Sequence, residues 1–210
     1  MFEWIRRLRP AAPTGSSGPL TEGIALVVGL GNPEDRFTRT RHNVGFMVAD
    51  RLAERHEFRI RHREKRALTG SWVSSNGRVL VAEPQTYMNL SGASVRALSQ
   101  FYKISPDRVL VVCDDTALPF GRLRIRRAGS EGGHNGLRSL SQHLGTQEYP
   151  RLRIGIGRPA SSQALKDYVL SAFTSTEMSE LPAILDRAVD AIETAVSEGV
   201  DAAMTRFNGA

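Results

Sequence analysis

Six polar residues of the 210-residue chain stand where predicted strands end or predicted helices begin. They are Asn32, His42, Asn89, Asp114, His134 and Asn135. A histidine beside a buried aspartate can act as a general base, because the carboxylate fixes the tautomer and stabilises the imidazolium that forms when the ring takes a proton. Asparagine amides can hold a carbonyl oxygen or position a water molecule. The set therefore suits hydrolysis of an activated bond such as an ester, with no need for a metal ion or a covalent nucleophile.

Each of these residues also has an ordinary structural explanation. His42 stands at a predicted helix start, where it can hydrogen-bond locally, and Asn89 and Asn135 precede helices, where caps are common. Asp114 follows an apolar strand, a frequent place for a turn residue. Spacing alone therefore indicates an α/β enzyme and leaves hydrolysis as one reading of it.

The signatures of several enzyme classes are absent from the sequence. It contains no G-x-S-x-G elbow, no H-E-x-x-H zinc motif and no P-loop. The turn Gly29-Leu30-Gly31 is similar to the start of a dinucleotide fingerprint, but Glu34 takes the place of its third glycine. A nucleotide-binding protein is therefore a weak alternative.

Alternating strand and helix patterns would position the polar residues. The apolar runs at residues 24–28 and 108–113 predict buried strands, the second typical of a parallel strand covered on both faces. Residues 43–54 carry apolar side chains at helical spacing. Further strands are predicted at residues 67–75, 79–82, 123–127 and 151–157. Further helices are predicted after residues 87–92, ending near residue 103, after the glycine-rich loop at residues 129–136, ending at residue 144, and beyond residue 177.

Two local signals refine this pattern. Asn76-Gly77 predicts a tight hairpin turn between the strands at residues 67–75 and 79–82, and either Asn89 or Ser91 is expected to cap the helix that follows. The hairpin is antiparallel, whereas elsewhere strands alternate with helices. We therefore predict an α/β fold: a single-domain mixed, mostly parallel twisted sheet with helices on both faces.

The chain is expected to consist of an arm and one domain. Residues 1–22 are rich in Arg, Pro, Gly and Ser and predict a flexible basic N-terminal arm. A transit peptide is a less favoured interpretation, since Glu3 and the lack of an amphipathic period argue against it. Residues 23–205 are expected to form a single catalytic α/β domain, because a chain of this length can bury one sizeable core.

Positive charge is concentrated before residue 161. Residues 161–210 contain 2 Arg and 1 Lys against 8 acidic residues, a net charge of −5, so a total of +6 leaves +11 on residues 1–160. Only 3 of the 28 basic residues are lysine. Because the planar fork of arginine binds phosphate bidentately, this distribution is compatible with a polyanionic partner, and equally with a solvated arginine surface.

Apolar patterning and cysteine content bear on location. No apolar run approaches the roughly 20 residues that span a bilayer, so we expect no membrane association. The single cysteine, Cys113, excludes an internal disulfide and suits a reducing compartment such as the cytoplasm. Cys113 lies inside an apolar strand, where thiols are inert, so it is not expected to act as a nucleophile.

Six segments occur together in a specific order. They read V-G-L-G-N-P (28–33), T-R-H-N-V-G (40–45), Y-M-N-L-S-G (87–92), D-D-T-A-L-P-F-G (114–121), G-G-H-N-G-L (132–137) and R-L-R-I-G-I-G (151–157). In this order and spacing they resemble bacterial-type peptidyl-tRNA hydrolases, over residues 24–200. The resemblance implies a monomeric cytoplasmic enzyme without cofactor or metal, which hydrolyses the ester of peptidyl-tRNA released from stalled ribosomes and so recycles tRNA.

The resemblance also implies roles for individual residues. His42 matches the general base and Asp114 the carboxylate that keeps it basic, while Asn32 matches the residue that distinguishes a blocked amino group from a free one. The remaining matches concern binding of the substrate and of the tRNA acceptor stem and 3′ end. They are Asn89, Asn135 and His134 for the substrate, Phe37 and Tyr87 as aromatic lining, and Arg126 and Arg153 as a clamp on the tRNA 5′ phosphate.

Three positions depart from the family pattern. Phe37 replaces the usual tyrosine, Cys113 stands where histidine often precedes the aspartate, and Ala117 stands where a second aspartate is common. None removes the expected pair of His42 and Asp114. A non-catalytic RNA-binding relative that retains the same residues is the alternative to an enzyme.

Overall fold

The structure, a computed structural model, describes residues 19–159 and 165–209. Seven strands of this part form one sheet in the order β2-β3-β4-β1-β5-β7-β6. The strands are β1 Leu26–Gly29, β2 His62–Glu64, β3 Ala67–Ser74, β4 Gly77–Pro84, β5 Val109–Asp115, β6 Leu123–Arg126 and β7 Arg151–Gly155.

The sheet is mixed, with a parallel centre. β1 pairs in parallel with β4 and β5, and β5 pairs in parallel with β7. The flanking strands β3 and β6 are antiparallel to their neighbours, and β2 is antiparallel to β3. β1 is buried along its whole length, as expected for a continuous apolar run between two parallel neighbours. The predicted α/β fold is confirmed.

Helices cover both faces of the sheet. They are α1 Val44–Arg55, α2 Ser91–Tyr102, α3 Asn135–Leu144, α4 Leu165–Val169, α5 Ser175–Ser197 and α6 Val200–Phe207. Because side chains alternate along a strand, Val27 of β1 packs in the core with α1, α5 and α6, whereas Val28 packs in a second core with α2 and α3. α6 ends two residues beyond the predicted domain end at residue 205.

The predicted antiparallel hairpin of β3 and β4 is confirmed, but its turn lies one residue earlier than predicted. Register pairs Ser74 with Gly77, so the turn is Ser75-Asn76 and Gly77 is the first residue of β4. The amide of Asn76 donates instead to the carbonyls of Val196 and Ser197, which ties the turn to the end of α5.

The predicted cap of α2 is wrong. Leu90 occupies the cap position, and neither Asn89 nor Ser91 accepts a capping hydrogen bond. A turn of 3-10 helix, Met88–Leu90, leads into α2 instead. The N–H of Gly92 donates to the hydroxyl of Ser139 on α3 at 3.0 Å, so a tertiary contact replaces the local cap.

Residues 1–18 of the predicted arm lie outside the described residues. Its last four residues, 19–22, pack against the sheet: Leu20 forms a bridge with Arg78, and the buried Thr21 donates its N–H to the carbonyl of Arg78 at 3.1 Å. No helix within residues 19–159 and 165–209 is both long enough and apolar enough to cross a membrane.

Glu83 near the end of β4 is buried without a charge partner. It is 7% exposed, and its Oε1 has no hydrogen-bond partner among the described residues. Burial, reinforced by the negative charge of the nearby Asp50, raises the pKa of Glu83 well above its usual value of 4.5. Because the pKa of Glu83 is higher in the fold than in the unfolded chain, the fold favours the neutral carboxyl group, and the free energy of unfolding falls as the pH rises above about 4.5.

Glu83→Gln is therefore expected to raise the free energy of unfolding at pH 8 by about 1–3 kcal/mol, because Gln has nearly the same size and cannot become a buried negative charge. At pH 5 the difference from the unaltered protein should shrink, because the raised pKa of Glu83 favours its neutral form at that pH. Urea unfolding at the two pH values measures this, with Glu180→Gln on the exposed surface of α5 as the control. An equal effect at both pH values would contradict the assignment.

Candidate active site

The predicted site residues meet at the carboxyl edge of the parallel strands. Asn32 follows β1, Tyr87 and Asn89 follow β4, and Asp114 lies near the end of β5. These segments, with the turn before α1 and the loop before α3, surround a cavity of about 790 Å³. Its lining includes nine of the ten predicted site residues: Asn32, Phe37, His42, Tyr87, Asn89, Asp114, His134, Asn135 and Arg153. Arg126 is not part of the lining.

One carboxylate oxygen joins the two histidines. Nδ1 of His42 lies 2.7 Å from Oδ1 of Asp114, and Nε2 of His134 lies 3.0 Å from the same oxygen. All three residues are buried, and the two imidazole rings are 4.9 Å apart between centroids. His42 thus bonds a residue 72 positions away and does not cap its own helix.

The partners of the rings define their tautomers. Nδ1 of His134 accepts the backbone N–H groups of Gly136 at 3.1 Å and Leu137 at 3.3 Å, so the ring carries its proton on Nε2 and donates it to Asp114. His42 donates Nδ1–H to the carboxylate, which leaves a lone pair on Nε2. Because Nδ1 of His42 is bound to Asp114 and the ring lines the cavity, Nε2 is its free proton acceptor.

The carboxylate is ionised over the physiological range. Burial by itself would raise the pKa of Asp114. His42 and His134 have the opposite and larger effect, because their positive charge and their hydrogen bonds stabilise the carboxylate, and they hold the pKa of Asp114 well below its usual range. The neighbouring Cys113 is fully buried, and burial raises the pKa of its thiol to about 12. Cys113 is therefore a thiol at neutral pH.

Asn32 is held at both its backbone and its side chain. The side chain of Asn43 accepts the N–H of Asn32 at 3.0 Å and donates to its carbonyl at 2.9 Å. Oδ1 of Asn32 accepts the N–H of Met88 at 2.9 Å. Since a backbone N–H can only donate, Oδ1 is assigned to that bond, and Nδ2 is the part of the amide left to donate to a ligand.

Asn89 and Asn135 are both exposed and line the cavity. The interpretation of Asn135 as a helix cap is wrong, because His134 occupies the cap position of α3. Oδ1 of Asn135 accepts a hydrogen bond from Arg138 at 3.2 Å, which leaves its Nδ2 as a donor. Tyr87 is 51% exposed on the cavity rim, and the guanidinium of Arg36 lies 4.7 Å from the ring centre of Phe37.

The two predicted clamp arginines lie on one face at the β6–β7 edge. Register places Arg126 opposite Arg151 and Arg124 opposite Arg153, so Arg126 and Arg153 are diagonal neighbours with roughly 7–8 Å between them. Arg153 bonds Asp115 at 3.2 Å and the carbonyl of Ser130 at 2.7 Å. Arg126 is exposed on this face.

Three residues that support the site escaped sequence interpretation. Arg124 belongs to the arginine face, and Asn43 holds the backbone of Asn32. Arg41 is buried, bonds Glu177 at 2.6 Å and Ser171 at 2.7 Å, and lies over the ring of Tyr168 at 4.5 Å. It therefore fixes the start of α5 and the end of α4 against the turn that carries His42. The signal that could have found Arg41 and Asn43 is their position on either side of His42.

His42, Asp114 and His134 are also the one group in the described part of the chain with three potential metal ligands close together, within 4.8 Å of one another. The ring nitrogens that face Asp114 carry protons, however, and the other nitrogen of His134 caps α3. A metal ion would have to displace both protons. The donor set fits a hydrogen-bonded base better than a metal site.

Comparison with known proteins gives a consistent result. Residues 26–210 match the family described as peptidyl-tRNA hydrolase. The peptidyl-tRNA hydrolase of Chloroflexus aggregans is 52% identical over 184 residues, which cover 87% of this chain and 98% of that protein. That of Nocardia farcinica is 49% identical over 193 residues, covering 91% and 100%. The crystal structure of peptidyl-tRNA hydrolase from Acinetobacter baumannii is similar with a TM-score of 0.83 and 35% identity, covering 88% of this chain and 94% of that one.

Proposed function

The chain belongs to the peptidyl-tRNA hydrolase family, and we propose that it hydrolyses the ester between peptide and tRNA with His42 as the general base. The observation that carries this assignment is the bond from Nδ1 of His42 to Asp114, which leaves Nε2 free in the cavity. The enzyme's substrate is peptidyl-tRNA released from stalled ribosomes, and its products are a free peptide and reusable tRNA.

In the reaction, Nε2 of His42 takes a proton from a water molecule as the water oxygen attacks the ester carbonyl. Asp114 stabilises the imidazolium that results, and its second donor, His134, stays neutral because its Nδ1 is held by α3. The tetrahedral intermediate then collapses, the bond to the ribose oxygen breaks, and His42 returns the proton to that oxygen. Asn89 and Asn135 line the cavity, and their amide groups hold the carbonyl oxygen or the water.

Asn32 discriminates between blocked and free amino groups. Its Nδ2 donates a hydrogen bond and suits the carbonyl oxygen of a preceding peptide residue. A free ammonium group can only donate hydrogen bonds. It could therefore not accept the N–H of Nδ2, and two donor groups would face each other. This geometry favours peptidyl-tRNA over aminoacyl-tRNA.

Arg126 and Arg153 bind the 5′ phosphate of the tRNA acceptor stem. Both lie on the face that continues from the cavity wall, and arginine forks suit phosphate oxygens. Binding through such contacts depends on salt concentration, because the arginines release counterions from the RNA.

The enzyme acts in the cytoplasm as a monomer without metal or cofactor. The hydrogen-bonded state of the histidines supports the absence of a metal from the reaction. The relatives that are 49–52% identical to this chain are peptidyl-tRNA hydrolases, which favours catalysis over the alternative, a non-catalytic RNA-binding relative that retains the same site residues.

His42→Ala is expected to lower kcat by about 10²–10⁴-fold, the usual contribution of a positioned base, and to leave the affinity for tRNA unchanged. Release of the N-acetylated amino acid from its tRNA measures kcat, and titration with uncharged tRNA measures binding. His62→Ala on the exposed strand β2 is the matched control. Near-normal turnover by His42→Ala would rule out the mechanism.

Asn32→Asp keeps the shape of the side chain and the acceptor for Met88 but replaces the Nδ2 donor by a carboxylate oxygen. We expect kcat/KM for N-acetylated aminoacyl-tRNA to fall about 10- to 100-fold relative to kcat/KM for free aminoacyl-tRNA. Parallel assays of the two substrates measure the ratio, with Asn76→Asp in the hairpin turn as the control. An unchanged ratio would show that another group recognises the blocked amino end.

A further inference from the structure

Several arginine side chains near the acidic helices α5 and α6 form ion pairs with carboxylates of these helices. Arg51 bonds Asp186 at 2.7 Å, and Arg55 bonds the same carboxylate at 3.0 Å. Arg206 is paired with Glu198 at 2.8 Å within the two helices themselves. These arginines are therefore engaged in the folded protein, and the positive charge available to a partner lies elsewhere.

The end of β2 and the turn that joins it to β3 carry a cluster of positive charge. We call Arg63 of β2, together with Lys65 and Arg66 of the turn, the basic turn. All three side chains are exposed, and within residues 19–159 and 165–209 the guanidinium groups of Arg63 and Arg66 contact no carboxylate. The acidic residue beside them, Glu64, is already bonded to the hydroxyls of Thr69 at 2.7 Å and Tyr102 at 2.9 Å.

The basic turn borders a concave surface with an aromatic ring beside it. A second cavity of about 260 Å³ is lined by residues 63–67 and Gln85. The ammonium of Lys65 lies 4.3 Å from the ring centre of Phe101, which is 59% exposed on α2. Basic side chains with an adjacent exposed aromatic ring are a combination that binds single-stranded nucleic acid through phosphate contacts and base stacking.

Backbone contacts attach the basic turn to the edge of the sheet that bears the active site. The N–H of Gln85 donates to the carbonyl of Arg66 at 2.7 Å, and Gln85 lies two residues before Tyr87 on the cavity rim. The hydroxyl of Ser94 near the start of α2 donates to the carbonyl of Lys65 at 2.8 Å. The basic turn is therefore held beside the active-site cavity by the same loop that supplies Tyr87 and Asn89.

The basic turn and the clamp arginines lie on opposite flanks of the cavity. Four strand spacings separate β3 from β7 in the sheet order, which is about 19 Å at 4.8 Å per spacing. Along a duplex, where each strand rises about 3.4 Å per nucleotide, that distance corresponds to roughly five to six nucleotides. An RNA substrate whose 3′ end enters the cavity can therefore reach both flanks.

We propose that the basic turn is a second phosphate-binding site for the RNA part of the substrate, separate from Arg126 and Arg153. This inference rests on the proposed function, since the RNA is the one whose ester the cavity hydrolyses. Arg63 and Arg66 donate to phosphodiester oxygens in the second cavity, and Phe101 provides a stacking surface for a neighbouring base.

The test compares two substrates that carry the same N-acetylated amino acid, one on full-length tRNA and one on a CCA trinucleotide. The double variant Arg63→Gln, Arg66→Gln should raise KM for the tRNA substrate about fivefold at moderate salt. The slope of log KM against log salt should fall by about 1.4–1.8, the value for two lost phosphate contacts. KM and kcat for the trinucleotide should not change, which also shows that the variant is folded.

The control is the double variant Arg187→Gln, Arg206→Gln, which removes the same charge from α5 and α6. If the basic-turn variant and the control give the same KM and salt slope with the tRNA substrate, the proposal is wrong. Equal losses with the trinucleotide and the tRNA would also overturn it, because the turn would then act on the cavity and not on the RNA body.

If the proposed function is wrong, the unaltered chain will release the N-acetylated amino acid from neither the tRNA nor the trinucleotide, which distinguishes that outcome from failure of the second site. Titration with uncharged tRNA tests the second site even in that case. Weaker binding by the basic-turn variant than by the control supports the site, and equal binding overturns it.

Discussion

Oδ1 of Asp114 accepts hydrogen bonds from two histidine side chains, and the remainder of the site is arranged around that oxygen. β5 carries Asp114 into the buried centre of the sheet, where an unpaired charge would be expensive. Two ring N–H donors compensate for that burial. One of them, His134, is also the cap of α3, so the same residue orients a helix and donates to the carboxylate. His42 is thereby left with one tautomer and one free nitrogen.

A chain of side-chain contacts ties the loops of the site together. Asn43 holds the backbone of Asn32, and Asn32 in turn holds the N–H of Met88 in the loop after β4. On the other side, Arg41 bonds Glu177 at the start of α5. Because Arg41 and Asn43 lie on either side of His42, the turn that carries the base is attached to both walls of the cavity. Hydrolysis by this family of enzymes needs such rigidity, since a general base works only at hydrogen-bond distance from its water.

Local patterns place His42, Asp114 and the asparagines at strand ends or helix starts, because buried parallel strands have continuous apolar sequences and their carboxyl ends share an edge. They misassigned the helix caps, since a histidine and a tertiary contact with Ser139 satisfy the N–H groups expected for Asn135 and Asn89. The link from Arg41 to Glu177 spans 136 positions and has no signal in local periodicity. The resemblance in motifs implies one of several possible roles for each residue. The tautomers of the histidines follow only from their hydrogen bonds in the structure.

Nitrogen-15 NMR of the histidine rings near neutral pH tests the central claim most directly. The account predicts that His42 carries its proton on Nδ1 and that His134 carries it on Nε2. His143 provides an internal reference, because its Nδ1 donates to the carbonyl of Ser139 at 2.8 Å and must therefore be protonated there. Asp114→Asn should disturb the tautomer of His42 more than that of His134, which α3 still holds. A neutral His42 protonated on Nε2 would contradict the account, since that nitrogen could not then take a proton from water.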